Sequence, residues 1–190
     1  ASIHQRNDKV DIVNYHHWIP SVFQVNDDAT DCQLLSEIPN LDPYRYGNTL
    51  YPLITELFLH QIPQFENVLD LKLRNVPLKV VVKAQDYQLT DCKEEDSYLG
   101  NLHKEGLYED IVAVGLYYYQ IDDGIEGGEL ELSSSIKRKE SWQYERKKIK
   151  IPVSEGMSLV FSNRLTHHRV SKLYGNGSRK IIALPPRRMN

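Results

Sequence analysis

The sequence predicts an α+β fold in which N-terminal helices pack on an antiparallel β-sandwich or jelly roll. Three observations support this. The chain has 190 residues, the size of a single domain. Apolar residues first recur at helical spacing, over residues 50–58, and a run of short strands separated by turn residues follows. Helices followed by many short strands are typical of an antiparallel fold rather than of alternating βα units.

We expect a single domain over residues 1–190. Its N-terminal part, 1–77, is predicted to be irregular and helical, and 78–186 is predicted to form a jelly-roll core that carries the functional site. The net charge of −3 gives no indication of nucleic-acid or membrane-surface binding. The sequence contains no apolar run of about 18 residues, so it does not predict a transmembrane helix.

The cysteines and the N-terminal residues favour a cytoplasmic location. Cys32 and Cys92 lie far apart in polar surroundings and form no metal-type pair, so a disulfide between them is left open and a reducing compartment is favoured. The opening residues, ASIHQRNDKV, lack the apolar core of a signal peptide.

The helical part begins at Thr49. One face carries apolar residues at spacings of three and four, namely Leu50, Leu53, Ile54, Leu57 and Phe58. Pro52 is compatible with a helix because it lies in the first turn. The segment IPQFENVLD, 62–70, predicts a second short helix.

Short strands make up the rest of the chain. Alternating or β-branched runs predict them in this order: Leu78–Leu89, DIVAVGLYYYQI, ELELSS, SLVFSN, LTHHRVSKL and NGSRKIIALP. An acidic segment, TDCKEEDSYLGN, follows the first strand. It is predicted to be either an ordinary surface loop or a mobile lid. The segment 133–151 predicts a polar hairpin.

A histidine and a carboxylate stand two residues apart just before a predicted buried strand. His103 and Glu105 would point to the same side of an extended chain. Two histidines and one carboxylate form the facial triad of non-haem Fe(II) oxygenases. The third ligand is then His167 or His168, which face opposite ways in a strand.

An arginine further along the chain is a candidate binder of an organic acid. Arg179 precedes an apolar run, and a buried guanidinium needs a partner such as a carboxylate. If the segment YGNGS, 174–178, is a turn between two antiparallel strands, it returns Arg179 to the metal end. Lys180 is the alternative, with its side chain on the opposite face.

These motifs resemble the 2-oxoglutarate/Fe(II)-dependent dioxygenases. The order of "HKEG", "VAVGLYYYQIDDGIEGGELEL" and "VSEGMSLVFSNRLTHHRVSKL…GSRKIIAL" is similar to that of the prolyl-hydroxylase-like branch. Together with "WIPSVFQV", "LYPLITELFLHQIPQFENVL" and "PLKVVVKAQDYQLT", it resembles the domain-of-unknown-function 4246 family, whose pair is also His-x-Glu. The resemblance spans about residues 14–185 and implies a double-stranded β-helix.

The resemblance also implies roles for individual residues. His103, Glu105 and His168 would bind Fe(II), Arg179 would bind the far carboxylate of 2-oxoglutarate, and Tyr118 would assist it. With O2, these cofactors imply a hydroxylase whose primary substrate the sequence does not define. Two alternatives are a cupin-type metal enzyme that does not use 2-oxoglutarate, and a non-catalytic metal-stabilised binding domain.

Two charged features lie outside this set. The predicted hairpin over 136–150 carries seven basic residues and two glutamates, which indicates either a solvated hairpin or a site that steers an anion. Glu129 and Glu131 are expected to be solvent-exposed or to face the substrate, without binding metal.

Overall fold

The computed structural model describes residues 18–106, 109–137 and 144–188. The helices are α1 (Pro43–Tyr46) and α2 (Leu50–Leu69), and Glu94–Asp96 forms a single turn of 3₁₀ helix. The strands are β1 (Ser21–Val25), β2 (Cys32–Leu34), β3 (Pro77–Val80), β4 (Lys83–Cys92), β5 (Ala113–Ile121), β6 (Ile125–Gly127), β7 (Leu130–Lys137), β8 (Tyr144–Ile151), β9 (Ser158–Ser162), β10 (Thr166–Val170) and β11 (Leu173–Ala183).

Antiparallel sheets dominate the described part of the chain. One sheet has the order β4-β11-β5-β9, with β6 also paired to β11; a second has the order β10-β7-β8. Apolar side chains from both sheets, including Val114, Leu116, Ile181 and Leu130, form one buried cluster between them. This arrangement is compatible with a jelly-roll-like β-sandwich.

Helix α2 packs on the other face of the larger sheet. Phe58, Ile62 and Phe65 are fully buried there, together with Phe23 of the small sheet β2-β1-β3. Helix α2 thus lies against the larger sheet and also packs on the small sheet. The helical content is low, because α1 is a single turn.

The two predicted short helices are in fact one. Helix α2 runs through Pro63 to Leu69 and ends where Asp70 adopts a left-handed conformation, with φ of 53°. A proline inside a helix costs one backbone hydrogen bond. Here the apolar face continues past it, and the packing of that face stabilises the longer helix.

The predicted strand Leu78–Leu89 is divided into two. β3 pairs with β1 in the small sheet, whereas β4 pairs with β11 in the larger sheet. Between them, the Val81 N–H donates to the Pro185 carbonyl, at 3.0 Å. The chain therefore changes sheet at this point.

The predicted turn at YGNGS is wrong. These residues lie inside β11, where Gly175 and Gly177 have φ of 105° and 138° and the register shifts between them. Glycine tolerates such φ values, so the two residues form a bulge in a long strand. β10 and β11 therefore belong to different sheets, and Arg179 lies in the sheet opposite His168.

The described part of the chain gives two further findings. Cys32 and Cys92 are free thiols, and burial raises the pKa of Cys32 to about 12. Among the described residues, no helix is long and apolar enough to cross a membrane.

Candidate metal centre

A single β-bridge brings two distant histidines together. The His103 N–H donates to the His168 carbonyl at 3.0 Å, and the His168 N–H donates to the His103 carbonyl at 2.8 Å. Their ring centroids lie 4.4 Å apart. Alternation along β10 buries His168 and leaves His167 exposed. Of the two sequence candidates, it is therefore His168 that lies beside the His-x-Glu pair.

Glu105 is held in place by a residue that the sequence analysis missed. Asn163, which follows β9, accepts the Glu105 N–H at 2.9 Å and donates to the Glu105 and Ile111 carbonyls at 2.8 and 3.0 Å. Asn163 is itself buried. Its amide thus fixes the backbone of the segment that carries Glu105. In the sequence, nothing marks this Asn apart from its position at the end of a strand.

The three side chains form a compact set of potential metal ligands. Glu105 Oε1 lies 3.6 Å from His103 Nε2 and 3.5 Å from His168 Nε2. Ligands at right angles around an ion with bonds of about 2.1 Å lie about 3 Å apart. The observed separations are close to this value, so the triad could bind a metal ion, with all three ligand atoms within 4.8 Å of one another.

The orientation of His103 supports metal binding further. Its Nδ1 lies 2.7 Å from the Asn101 carbonyl, which can only accept, so Nδ1 carries the proton. In the neutral ring, Nε2 then presents its lone pair toward the Glu105 carboxylate. Two electron-rich atoms facing each other favour a cation between them, which is either a proton that hydrogen-bonds them or a metal ion. Metal-binding histidines usually donate their second ring N–H in this way.

The carboxylate is held in its charged form. Burial alone would raise the pKa of Glu105, but hydrogen bonding to His103 and His168 and the charge of Lys83 lower it well below its usual range. Glu105 hydrogen bonding raises the pKa of His103. Burial lowers the pKa of His168. A charged carboxylate beside a neutral, buried imidazole is a suitable ligand set for a divalent cation.

Lys83 is a second residue that the sequence analysis missed. Its Nζ lies 3.5 Å from Glu105 Oε1 and 4.8 Å from the ring centroid of Trp18. Lys83 is the first residue of β4, so its position depends on the change of sheet at residues 81–82. Because the sequence predicted one continuous strand there, it gave no signal for this contact.

Arg179 is buried without a hydrogen-bond partner. The residue is 1% exposed, and Nε, Nη1 and Nη2 find no hydrogen bond in the described structure. Its Cζ lies 5.0 Å from the ring centroid of Tyr118 and 5.8 Å from that of Tyr87. Burial raises the pKa of Tyr118, and the charge of Arg179 offsets this only in part.

A cavity of about 390 Å³ lies beside the triad and the two tyrosines. His103, Glu105 and His168 line it, as do Tyr87 and Tyr118, whose rings flank Arg179. Apolar residues form much of the remaining wall, including Leu116, Leu130 and Ile181. Ligand cavities typically combine apolar walls with a few convergent polar groups.

The other candidates lie away from this cavity. Lys180 is partly exposed, as expected for the opposite face of β11. Glu131 was expected to be exposed or to face the substrate; it is buried and pairs with Arg169 at 2.8 Å and Lys148 at 3.4 Å. Glu129 is half-buried and accepts a hydrogen bond from Ser171.

Part of the predicted basic hairpin, residues 138–143, falls outside the described residues. The flanking strands β7 and β8 pair as a hairpin would require.

Among known proteins, only solved structures match this chain. No protein-family model and no curated protein matches the chain. A structure of IDO from Bacillus thuringiensis is similar over 90% of this chain and 75% of that protein, with 18% identity and a TM-score of 0.49. Prolyl 4-hydroxylases from Phytophthora capsici match 57% of this chain, with 15% identity and a TM-score of 0.38.

A further neighbour is a prolyl hydroxylase from Trichoplax adhaerens in complex with a peptide fragment of the hypoxia inducible factor oxygen degradation domain. It matches 60% of this chain, with 20% identity and a TM-score of 0.40. This chain covers 32% and 47% of the lengths of the two prolyl hydroxylases. These distant similarities do not assign the chain to a family. The resemblance to the domain-of-unknown-function 4246 family stays a prediction.

Proposed function

We propose that this protein is an oxygenase that uses Fe(II), 2-oxoglutarate and O2 to hydroxylate its primary substrate. The observation that carries the proposal is Arg179. A buried guanidinium with three unpaired nitrogens destabilises a protein unless an anion accepts their hydrogen bonds and balances the charge. This one is flanked by two tyrosines of the cavity that the His-Glu-His triad also lines.

Each residue of the site fits a part of this chemistry. His103 and His168 would bind iron through Nε2, and Glu105 would bind it through Oε1. Arg179 would bind the far carboxylate of 2-oxoglutarate through paired N–H groups, which fixes both position and orientation. When bound, the metal and the keto acid supply the oxygen-activating chemistry. The apolar wall of Leu116, Leu130 and Ile181 would keep water from the reacting groups.

The triad and Arg179 support different parts of the proposal. The triad fits any enzyme of the facial-triad type, including a cupin-type enzyme that does not use 2-oxoglutarate. The unpaired Arg179 favours an acidic cosubstrate. The narrower resemblance to the domain-of-unknown-function 4246 family rests on sequence motifs and adds no residue to this set.

The test is anaerobic titration of the protein with Fe(II) and then with 2-oxoglutarate. Iron binding is measured by equilibrium dialysis, and chelation of the keto acid by the visible charge-transfer band that it gives with iron. The variants are His168→Ala, which removes a ligand, and Arg179→Met, which keeps the size of the side chain and removes its charge. Lys180→Met, on the opposite face of the same strand, is the matched control.

We expect the band in the unmodified protein and in Lys180→Met. His168→Ala should lose iron, whereas Arg179→Met should keep iron and require at least about tenfold more 2-oxoglutarate. Iron binding without a band would favour the cupin-type enzyme. Iron and 2-oxoglutarate binding without consumption of O2 in the presence of any substrate would favour a non-catalytic domain. Absence of iron binding would refute the proposal.

A further inference from the structure

A second and larger cavity lies on the other face of the five-stranded sheet. It has a volume of about 1260 Å³ and runs between helix α2 and residues of β4, β5 and β11. We call it the helix groove. Its walls are largely aliphatic and aromatic, with Leu53, Ile54, Leu57, Tyr117 and Ile182 among them. None of these side chains belongs to the metal centre.

The helix groove is long. The residues of α2 that line it recur every three or four positions from Leu50 to Gln64, which is one face of the helix. At 1.5 Å per residue this stretch covers about 21 Å. Leu53 is 60% exposed and Leu50 is 38% exposed, so apolar surface lies open along this face. An extended aliphatic chain has the shape and chemistry to cover it.

Lys83 connects the helix groove to the metal centre. It is the one Lys or Arg among the described residues that line the groove, and it also lines the metal cavity. Its Nζ lies 3.5 Å from Glu105 Oε1, and its side chain is 34% exposed. An ammonium group has three N–H donors, so one contact with Glu105 leaves donors for a second acceptor.

We propose that the helix groove binds the tail of the primary substrate, an aliphatic carboxylate whose carboxylate pairs with Lys83. A single negative charge fits better than a phosphate, because Lys83 is the one Lys or Arg among the described residues of the groove, and Glu105 beside it and Glu56 in the groove wall are already negative. The carboxylate end would then lie next to the triad. The claim that this ligand is a substrate rests on the proposed function. The claim that the groove binds the ligand does not.

The binding test uses decanoate and decanol, which share the tail and differ in the head group. Isothermal titration calorimetry is carried out on the full chain in the presence of a chelator, so that neither iron nor 2-oxoglutarate contributes. Octanoate and dodecanoate complete the chain-length series. Trp18, whose ring centroid is 4.8 Å from Lys83 Nζ, gives a second readout by fluorescence in a Trp142→Phe background.

Two variants test the two halves of the site. Lys83→Met removes the cation and keeps most of the stem; Lys79→Met, at an exposed position of β3, is its control. Leu53→Asp places a charge in the groove at an exposed helix position; Leu71→Asp, at an exposed position after the helix, is its control.

We expect decanoate to bind at least about tenfold more tightly than decanol, and Lys83→Met to remove that difference. Each pair of added methylenes should tighten binding by roughly tenfold, and Leu53→Asp should weaken both ligands. Equal affinity for decanoate and decanol, or no dependence on chain length, would overturn the proposal. So would unchanged binding in Lys83→Met. Because metal is excluded, these results stand or fall independently of the iron and 2-oxoglutarate titration.

Discussion

At Arg179, a ligand-binding role and a structural role predict opposite effects of substitution on stability. A buried arginine with a structural role would lower stability when removed, because its partners would lose hydrogen bonds. The three guanidinium nitrogens of Arg179 have no hydrogen-bond partner in the described structure; the group lies beside the rings of Tyr118 and Tyr87 and against Gly128. We therefore predict that Arg179→Met raises the free energy of unfolding of the ligand-free protein, by roughly 1–3 kcal/mol.

Urea denaturation with and without 2-oxoglutarate checks this prediction. The acid should stabilise the unmodified, iron-loaded protein and leave Arg179→Met unchanged. Lys180→Met should change the ligand-free stability by no more than about 0.5 kcal/mol. A large loss of stability in Arg179→Met alone would show that Arg179 has a structural role.

Asn163 gives a second prediction at this scale. Asn163→Asp keeps the acceptor for the Glu105 N–H but removes both donors, so the carbonyls of Glu105 and Ile111 lose their partners. We expect a loss of roughly 2–4 kcal/mol in stability and a 10–100-fold loss in metal affinity. Chemical denaturation and metal titration measure the two effects. Asn48→Asp, at an exposed position, should change neither.

The sequence pointed to His103 and Glu105 because they stand two residues apart. The residues alone left His167 and His168 as alternatives, and the family resemblance selected His168, which the structure places beside the pair. Lys83 and Asn163 were not accessible, since their roles depend on which chain segments meet. Arg179 was predicted from its chemistry, and that role stays a prediction; the predicted hairpin before it is wrong, because Arg179 lies within β11 in the sheet opposite His168.

At the scale of elements, the end of helix α2 is held by an ion pair. Glu66 accepts hydrogen bonds from Arg74 Nε and Nη2, at 3.1 and 3.0 Å, and from the Leu73 N–H at 3.0 Å. This connects the last turn of α2 to the segment that leads into β3. Hydrogen bonding to Arg74 holds the pKa of Glu66 below its usual value, and its side chain is only 16% exposed.

A pH-dependent contribution to stability follows. A carboxyl whose pKa is lower in the folded state stabilises the protein above its unfolded pKa, about 4.3, and loses that effect as pH falls through the folded pKa. Glu66→Gln should therefore cost roughly 1–3 kcal/mol at pH 7, and this cost should shrink below about pH 4. Urea denaturation of both proteins between pH 7 and pH 3.5 measures it. Glu56→Gln, at an exposed position on the same helix, is the control and should show little effect. If the loss in free energy of unfolding caused by Glu66→Gln were the same at every pH, the ion-pair explanation would be contradicted.

Element types were more predictable than element boundaries. Periodicity identified the start of α2 and most strands of the sandwich. It missed the continuity of α2 through Pro63, because packing of Phe58, Ile62 and Phe65 outweighs one lost hydrogen bond. It also read Gly175 and Gly177 as a turn, since glycines that permit a bulge and glycines that permit a turn look alike in sequence.

At the scale of the whole molecule, the candidate metal centre links the two sheets of the sandwich. His168 lies on β10 of the smaller sheet, whereas the Glu105 segment is tied through Asn163 to the end of β9 in the larger sheet. Besides these contacts, the two sheets are held together by apolar packing around Leu116, Leu130 and Ile181. An ion bound by His168 and Glu105 would therefore join both sheets in the folded state only.

Metal binding should for that reason stabilise the whole fold. At a concentration of Mn²⁺ about 100 times the dissociation constant, the free energy of unfolding should rise by about 2.7 kcal/mol. For a chain of this size the melting temperature should then rise by roughly 5–10 °C. Glu105→Gln should lose this shift, whereas Glu94→Gln, at an exposed position, should keep it. Thermal melting with and without Mn²⁺ measures the shift, and an equal shift in Glu105→Gln would mean that the ion binds elsewhere and does not connect the sheets.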